Sequence, residues 1–177
     1  TKNNLKVMID IILKLDEKIT SYKYNHDTFE FVDISKLAID LVTKYPDIRE
    51  ELKNYFNEIM IDEYQDTSDL QEQFIKLIEN HNTYMVGDIK QSIYRFRNAN
   101  PLIFKEKYDK YAQNIDGIKI DLNKNFRSRK EVLDNINEFF DCVMDDTFGG
   151  ANYQESHRMV FGNNTYIEEG LTEQNYN

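Results

Sequence analysis

The sequence is poor in the features that mark disulfide-linked, secreted or membrane proteins. Its 177 residues include one cysteine, two prolines and no tryptophan. Because a single cysteine cannot form a disulfide within the chain, the sequence favours a reducing, cytoplasmic setting. Its apolar runs are a few residues long, far below the roughly 20 that span a bilayer, so we expect no membrane association. Cys142 follows Phe139 and Phe140 in a helical pattern, which predicts that the thiol packs in a core.

Glycine is also scarce, and none of the six glycines is followed by lysine. The sequence therefore lacks the Gly-Lys-Thr or Gly-Lys-Ser loop whose backbone amides hold nucleotide phosphates. What is present is a hydrophobic content of 40%, enough for a folded domain of this length.

Negative charge dominates the chain but not its middle. The formal net charge of −10 argues against a surface uniformly adapted to nucleic acid. Between Met85 and Lys130, however, eleven basic residues stand against five acidic ones, a local balance of +6. This distribution fits a local site for a polyanion, although a run of charge is often only a solvated face.

Apolar residues at helical spacing dominate the first part of the chain. They predict a helix over 5–19 and a second over 34–42, with Asp33 as the cap of the second. Pro46 suits the first turn of a third, short helix.

The pattern then changes to strands alternating with helices. Short apolar runs predict strands at 57–62, 83–87 and 117–122, separated by helices at about 69–79 and 101–111. Strands connected by helices indicate an α/β fold with a parallel sheet and right-handed crossovers.

A further helix and an irregular stretch complete the pattern. Ser128 and Glu131 match a capping box, and the apolar residues that follow form the stripe of the helix it opens. From Thr147 to Asn177 the signal fades, which predicts an irregular or partly disordered tail.

Carboxylates follow two of the predicted strands. Asp62 and Glu63 come directly after the first strand, and Asp88 follows the second. Ligands of open α/β sheets bind beyond the carboxyl ends of the strands. Asp62 suits a hard cation such as Mg²⁺, and Glu63 could polarise a water molecule. Gln91 could reach a phosphate oxygen or the attacking water.

Aromatic rings and guanidiniums alternate in Tyr94-Arg95-Phe96-Arg97. This mixture suits stacking on single-stranded bases together with pairing to phosphates. The alternative is that Tyr94 and Phe96 are core aromatics beside solvent-facing arginines. The pair Phe126-Arg127 leaves the same two interpretations open.

Taken in order, these segments resemble the conserved motifs of the UvrD-type superfamily 1 DNA helicases. Asp62-Glu63-Tyr64-Gln65-Asp66 resembles motif II, Gly87 to Arg97 resembles motif III, and Asn125-Phe126-Arg127-Ser128 resembles motif IV. The resemblance is strongest from Tyr55 to Phe140. It implies a partial P-loop NTPase (RecA-like) motor domain, with parallel strands, flanking helices and no phosphate loop, that uses ATP and Mg²⁺.

The resemblance also implies roles for the residues on the nucleotide side. Asp62 would coordinate Mg²⁺, Glu63 would act as general base, and Gln91 would sense the γ-phosphate and couple it to DNA. Phe126, where the family usually has tyrosine, would stack on adenine. Arg127 would bind ATP and stabilise charge on its γ-phosphate.

On the DNA side, the resemblance implies that Tyr94, Phe96 and Arg97 contact single-stranded DNA. Phe96 stands where the family often has tryptophan, and both side chains offer an aromatic face. Single-stranded and double-stranded DNA ends are the implied substrates.

The missing phosphate loop, together with the absent motifs V and VI, makes the chain resemble the central piece of a longer helicase. We expect a helical segment at 1–56, the C-terminal part of the first motor domain at 57–127, and a helix with a connector at 128–177. Such a piece would be inactive alone, whereas its parent would be an ATP-dependent DNA helicase.

Within the family, the similarity is greatest to helicase-nuclease subunits that process double-strand breaks for recombination and repair, which implies a partner subunit. A repair helicase without a nuclease is the alternative within this class. A non-catalytic module that binds nucleic acid or a partner is the alternative outside it.

Overall fold

The computed structural model describes residues 2–145 and 147–165. The chain forms two compact units. Unit 1 combines Thr1–Ile59 with Leu70–Tyr84, and unit 2 combines Met60–Asp69 with Met85–Asn177. The helices and strands, in chain order, are α1 (Lys2–His26), α2 (Phe31–Lys44), α3 (Pro46–Tyr55), β1 (Ile59–Ile61), α4 (Asp69–Ile78), β2 (Thr83–Met85), α5 (Pro101–Ala112), β3 (Lys124–Asn125), α6 (Lys130–Val143) and β4 (Val160–Phe161).

The helices of unit 1 begin close to where the sequence predicts. α1 contains the predicted helix but is longer at both ends, and its regularly spaced apolar side chains are exposed. α3 begins at Pro46, as predicted. α2 packs on α3 and buries Ile39 and Val42.

The predicted cap of α2 is wrong. The helix is capped by Glu30, and Asp33 lies in its first turn. The Asp33 carboxylate accepts a hydrogen bond from the Glu30 backbone N–H at 2.9 Å. From its position in the first turn, Asp33 therefore satisfies the backbone N–H of the capping residue. The pKa of Asp33 is lowered by the hydrogen bond from the Lys23 ammonium and by this backbone hydrogen bond.

Two of the three predicted strands are confirmed, in shorter form. β1 and β2 make a two-stranded sheet. The Ile59 N–H donates to the Asn82 carbonyl at 2.9 Å, and the Val86 N–H donates to the Ile61 carbonyl at 2.8 Å. Because residue numbers rise together along both strands, the pairing is parallel, as expected when a helix such as α4 connects two strands.

The predicted strand at 117–122 is wrong. Ile118, Ile120 and Leu122 do alternate in the sequence, but all three are exposed and the segment has no regular secondary structure. In the described part of the chain this segment joins no sheet. The strand that forms lies just beyond it: β3 pairs in parallel with β4, in a second two-stranded sheet.

α6 begins one residue later than its predicted cap implies. Its cap is Arg129, which makes no side-chain capping bond, and the Ser128 N–H donates at 2.8 Å to the Asn125 side chain. Leu133 is buried, but Cys142 is exposed, so the predicted core position of the thiol is wrong. At about 100° per residue, nine positions place Cys142 on the opposite side of the helix from Leu133.

Residues 147–165 contain little regular secondary structure, as predicted, but they pack against α6 rather than being disordered. Tyr153 is buried against α6, and the buried Asn137 side chain holds the segment. Its amide donates to the Met159 carbonyl at 2.9 Å, and its oxygen accepts from the Tyr153 hydroxyl at 2.8 Å and from the Met159 N–H at 3.0 Å. The rest of the predicted tail, 166–177, lies outside the described residues.

The same segment packs His157 against α5. Its ring stacks on Tyr108 with centroids 5.8 Å apart, and its Nδ1 lies 3.5 Å from the Lys90 Nζ. Burial, followed by the Lys90 charge, lowers the pKa of His157, against the opposing effect of Asp88 and Asp121. The folded state therefore favours the neutral imidazole.

We predict that His157 makes unit 2 less stable in mild acid. A histidine whose folded pKa is below its unfolded value of about 6.5 binds fewer protons when folded, so stability is lost as pH falls below that value. His157→Gln should reduce the decline in melting temperature between about pH 7.5 and 5.5. His81→Gln, which changes an exposed histidine, is the control. Parallel pH profiles for wild type and His157→Gln would contradict the prediction.

Candidate functional site

Motif II begins where β1 ends, and it presents two carboxylates at the surface. Asp62 and Glu63 are both exposed. The Glu63 backbone is left-handed (φ 49°), and its N–H donates to the Asp62 carboxylate at 2.9 Å. A left-handed backbone costs of order 1–3 kcal/mol at a residue with a Cβ. The chain therefore turns at Glu63 instead of continuing β1.

A buried glutamine links these carboxylates to motif III. Gln65 is only 1% exposed. Its Nε2 donates to the Glu63 Oε2 at 2.6 Å, and its Oε1 accepts from the Asp88 backbone N–H at 2.9 Å. The position of the Glu63 carboxylate is therefore tied to the backbone of the neighbouring motif. Sequence reasoning missed Gln65, and its only signal was a polar residue inside the motif.

Gly87 makes room for this link. A Cβ at position 87 would lie 2.6 Å from the Gln65 Oε1 and 2.8 Å from the Phe104 ring. Both distances are shorter than van der Waals contact, so the backbone can approach Gln65 only because residue 87 has no side chain.

Asp88 holds the start of motif III. One of its carboxylate oxygens accepts from the Lys90 backbone N–H at 3.1 Å and from the Lys90 ammonium at 2.8 Å, and the other accepts from the Gln91 side chain at 3.2 Å. Burial raises the pKa of Asp88, but the bonds and charge of Lys90 outweigh it, so the pKa is lowered. Hydrogen bonds thus run from Glu63 through Gln65 to Asp88 and Gln91.

Tyr64 and Asp66 are the remaining residues of motif II. Tyr64 is buried, with the Lys107 ammonium 5.0 Å from its ring centroid. Burial, followed by the charge of Glu63, raises the pKa of Asp66.

The aromatic residues of motif III form a surface cluster. Phe96 is 76% exposed, so its interpretation as a core residue is wrong. The rings of Tyr94 and Phe96 lie 5.8 Å apart at 48°. The Arg97 guanidinium lies 5.3 Å from the Tyr94 centroid and 5.6 Å from the Phe96 centroid. Two rings and a cation thus share one exposed site, the combination expected for stacking on bases.

Motif IV begins at Asn125, the last residue of β3. Asn125 accepts bonds from the N–H groups of Arg127 at 2.9 Å and Ser128 at 2.8 Å, which turns the chain. Phe126 and Arg127 are both exposed. Gly162 and Asn163 lie against Phe126. Among the predicted site residues, hydrogen bonds connect Glu63 with Gln91, and ring and cation contacts connect Tyr94, Phe96 and Arg97.

Two further findings concern metal clusters and membrane-spanning helices. Across residues 2–145 and 147–165, no group of three or more histidine, cysteine, aspartate or glutamate side chains could hold a metal ion by itself. Within the same ranges, no helix has both the length and the apolar character needed to cross a bilayer.

Comparison with known proteins identifies the family. The model of the UvrD/REP helicase N-terminal domain matches residues 3–112, which include motifs II and III. The chain belongs to the UvrD/REP helicase family.

Relatives of this UvrD/REP helicase chain include helicase-nuclease subunits. It is 49% identical over 143 residues to an ATP-dependent helicase/nuclease subunit of Streptococcus pneumoniae serotype 2, and the matched segment covers 80% of this chain and 12% of the relative. The same figures hold for the exonuclease/helicase subunit RexA of S. pneumoniae serotype 4. The ATP-dependent helicase/nuclease subunit of Streptococcus equi subsp. zooepidemicus is 42% identical over 160 residues, 89% of this chain and 13% of the relative. The chain thus spans about an eighth of the length of these relatives.

We predict that Gln65→Glu destabilises this part of the UvrD/REP helicase chain by about 1–3 kcal/mol near pH 7. The variant keeps an acceptor for the Asp88 N–H but places a second carboxylate against Glu63. Like charge raises the folded pKa of the new carboxyl, so the deficit grows as pH rises through that pKa and shrinks near pH 4, where the protonated group can donate.

Chemical denaturation at several pH values tests this prediction. Gln113→Glu is the control, because it makes the same change at an exposed position of unit 2. An equal, pH-independent deficit in both variants would show that the Gln65 link contributes nothing specific.

Proposed function

We propose that this chain is the part of an AddA-type helicase-nuclease subunit that carries motifs II, III and IV of the first RecA-like, P-loop motor domain. The whole protein would couple ATP hydrolysis to translocation on single-stranded DNA, in the repair and recombination of double-strand breaks. The observation that carries the proposal is the series of hydrogen bonds that connects Glu63 to Gln91 through Gln65 and Asp88. It joins an acid that could activate water to a glutamine beside the proposed DNA-binding cluster.

Glu63 is the proposed general base. A base must be ionised, oriented and within reach of the water it deprotonates. Gln65 bonds to the Oε2 of Glu63 and so restricts the rotation of the carboxylate. The Oε1 of Glu63 would then accept the proton as the water attacks the γ-phosphate.

Asp62 fits the magnesium ion that such a reaction uses. Mg²⁺ in nucleotide sites is held by one or two carboxylates, by water and by the phosphates, so it does not need a cluster of protein ligands. Asp62 offers an exposed carboxylate at the end of β1. When bound, the ion neutralises charge on the phosphates.

Gln91 is the proposed link between nucleotide and DNA. It lies in a short turn, Ile89–Gln91, and the next turn, Arg95–Arg97, carries part of the aromatic cluster. Asp88 caps the first of these turns and bonds to Gln91. A change in what Gln91 contacts would therefore alter the segment that positions Tyr94, Phe96 and Arg97.

Motif IV completes the proposed nucleotide site. Phe126 would stack on adenine, and Arg127 would bind the γ-phosphate and stabilise the charge that develops there. The helicase-nuclease relatives favour this assignment over a UvrD- or PcrA-type repair helicase. Because these relatives are named as subunits, we further propose an AddB-type partner, and we propose a cytoplasmic setting.

We predict that Glu63→Gln in the full-length protein lowers the kcat for ATP by about 10²–10⁴-fold. The amide keeps the size of the side chain and can still hydrogen-bond, but it cannot accept a proton, so the KM for ATP should change little. Phosphate release in the presence of single-stranded DNA measures both constants. Glu106→Gln, at an exposed position of α5, is the control. Normal turnover by Glu63→Gln would refute its role as base.

We also predict that Phe96→Ala weakens single-strand binding by roughly 1–3 kcal/mol, with little dependence on sequence. Because the ring is exposed, the melting temperature should stay nearly unchanged. Arg97→Ala should reduce the slope of log affinity against log salt by about 0.7, the value for one single-strand phosphate contact.

Fluorescence-anisotropy titration and thermal unfolding on the same samples test this prediction. Phe139→Ala removes another exposed ring of unit 2 and is the control. A large fall in melting temperature with unaltered affinity for Phe96→Ala would show that the ring is structural.

A further inference from the structure

Parallel pairing brings the end of β4 against motif IV. Asn125, the last residue of β3, pairs with Phe161, the last residue of β4. The Gly162 N–H continues the ladder by donating to the Asn125 carbonyl at 2.9 Å. The residues that follow the two strands, Phe126 and Gly162, are therefore neighbours in space although they are far apart in sequence.

Gly162 lies against the Phe126 ring without covering it. A Cβ at position 162 would lie 2.8 Å from the ring Cε1, 3.0 Å from Cζ and 3.1 Å from Cδ1, three consecutive carbons on one side of the ring. Phe126 is nevertheless 61% exposed. The glycine backbone thus limits where one side of the ring can go, while most of the ring stays available to a ligand.

Asn163 fixes the backbone of the same residue. Its side-chain amide donates to the Phe126 carbonyl at 2.9 Å, and its side-chain oxygen accepts from the Thr165 N–H at 3.1 Å. Main chain and ring of Phe126 are therefore held by two consecutive residues that belong to none of the three helicase motifs.

We propose that Gly162 and Asn163 are positioning residues for the nucleobase: they set the Phe126 ring in the orientation in which it stacks on adenine. This inference rests on the proposed function, because it takes Phe126 as the adenine-stacking residue. An aromatic contact depends on ring distance and tilt. A side chain at position 162 would displace the ring, whereas a change at Asn163 would free its backbone.

Comparing two substrates isolates the base contact in the full-length protein. ATP carries the adenine, and ribose 5′-triphosphate carries the same phosphates without a base. Gly162→Ala should raise the KM for ATP by about 2- to 10-fold, the range expected for one aromatic contact. It should leave the KM for ribose triphosphate and both kcat values nearly unchanged. Asn163→Asp, which loses the donor to Phe126, should act in the same direction.

Gly117→Ala is the matched control. A Cβ at position 117 would lie 2.6–2.8 Å from the Tyr111 ring, so the variant also forces a methyl group against an aromatic side chain of unit 2. Tyr111 has no proposed role in binding ATP. An effect on the KM for ATP of equal size in Gly117→Ala would show that Gly162→Ala acts through general strain, and would overturn the inference.

A double-mutant cycle tests whether the effect passes through the ring. Phe126→Ala removes the ring and also the clash with a residue at position 162, so the double variant can fold even where Gly162→Ala alone is impaired. Once the ring is absent, Gly162→Ala should no longer raise the KM for ATP. An undiminished effect in the Phe126→Ala background would overturn the inference.

The same measurements separate this inference from the proposed function. A wild-type protein without DNA-stimulated ATP hydrolysis would refute the proposed function, and the inference with it. A wild-type protein that hydrolyses ATP, but in which Phe126→Ala affects ATP and ribose triphosphate equally, would refute only the stacking role and its positioning by Gly162 and Asn163.

Discussion

The candidate site depends on one buried amide. Gln65 donates to Glu63 with one end and accepts from the Asp88 backbone with the other. A primary amide combines N–H donors with a carbonyl acceptor, so an apolar residue at this position would leave the Asp88 N–H without its acceptor. The missing side chain at Gly87 leaves room for this contact. A continuous set of hydrogen bonds therefore connects the segments that follow two adjacent strands.

The sequence predicts the parts of this arrangement that depend on local pattern. The helical spacing of apolar residues, together with turn residues, locates the helices. Acids that follow apolar runs place Asp62, Glu63 and Asp88 after β1 and β2. The order of the motifs predicts the family, which the match over residues 3–112 confirms. The link through Gln65 could not be predicted in this way, because its two partners lie on different strands and their approach depends on tertiary packing.

The wrong predictions share a physical cause. Alternation at 118–122 indicates an extended segment, but pairing requires a neighbouring strand, which a pattern cannot supply. The residues at 147–165 lack periodicity, yet they fold against α6 because the single side chain of Asn137 satisfies three polar groups there. Cys142 shares a helix with buried residues but faces away from Leu133. In each case the sequence pattern does not specify which surfaces pack against each other.

The parallel pairing of β3 with β4 has a consequence for how this segment can vary in length among relatives. A residue inserted or deleted between Met159 and Gly162 would shift the register by one position and bring the Phe161 or Asn163 side chain to the place beside the Phe126 ring that only a glycine fits. Length variation should therefore be absent from β4.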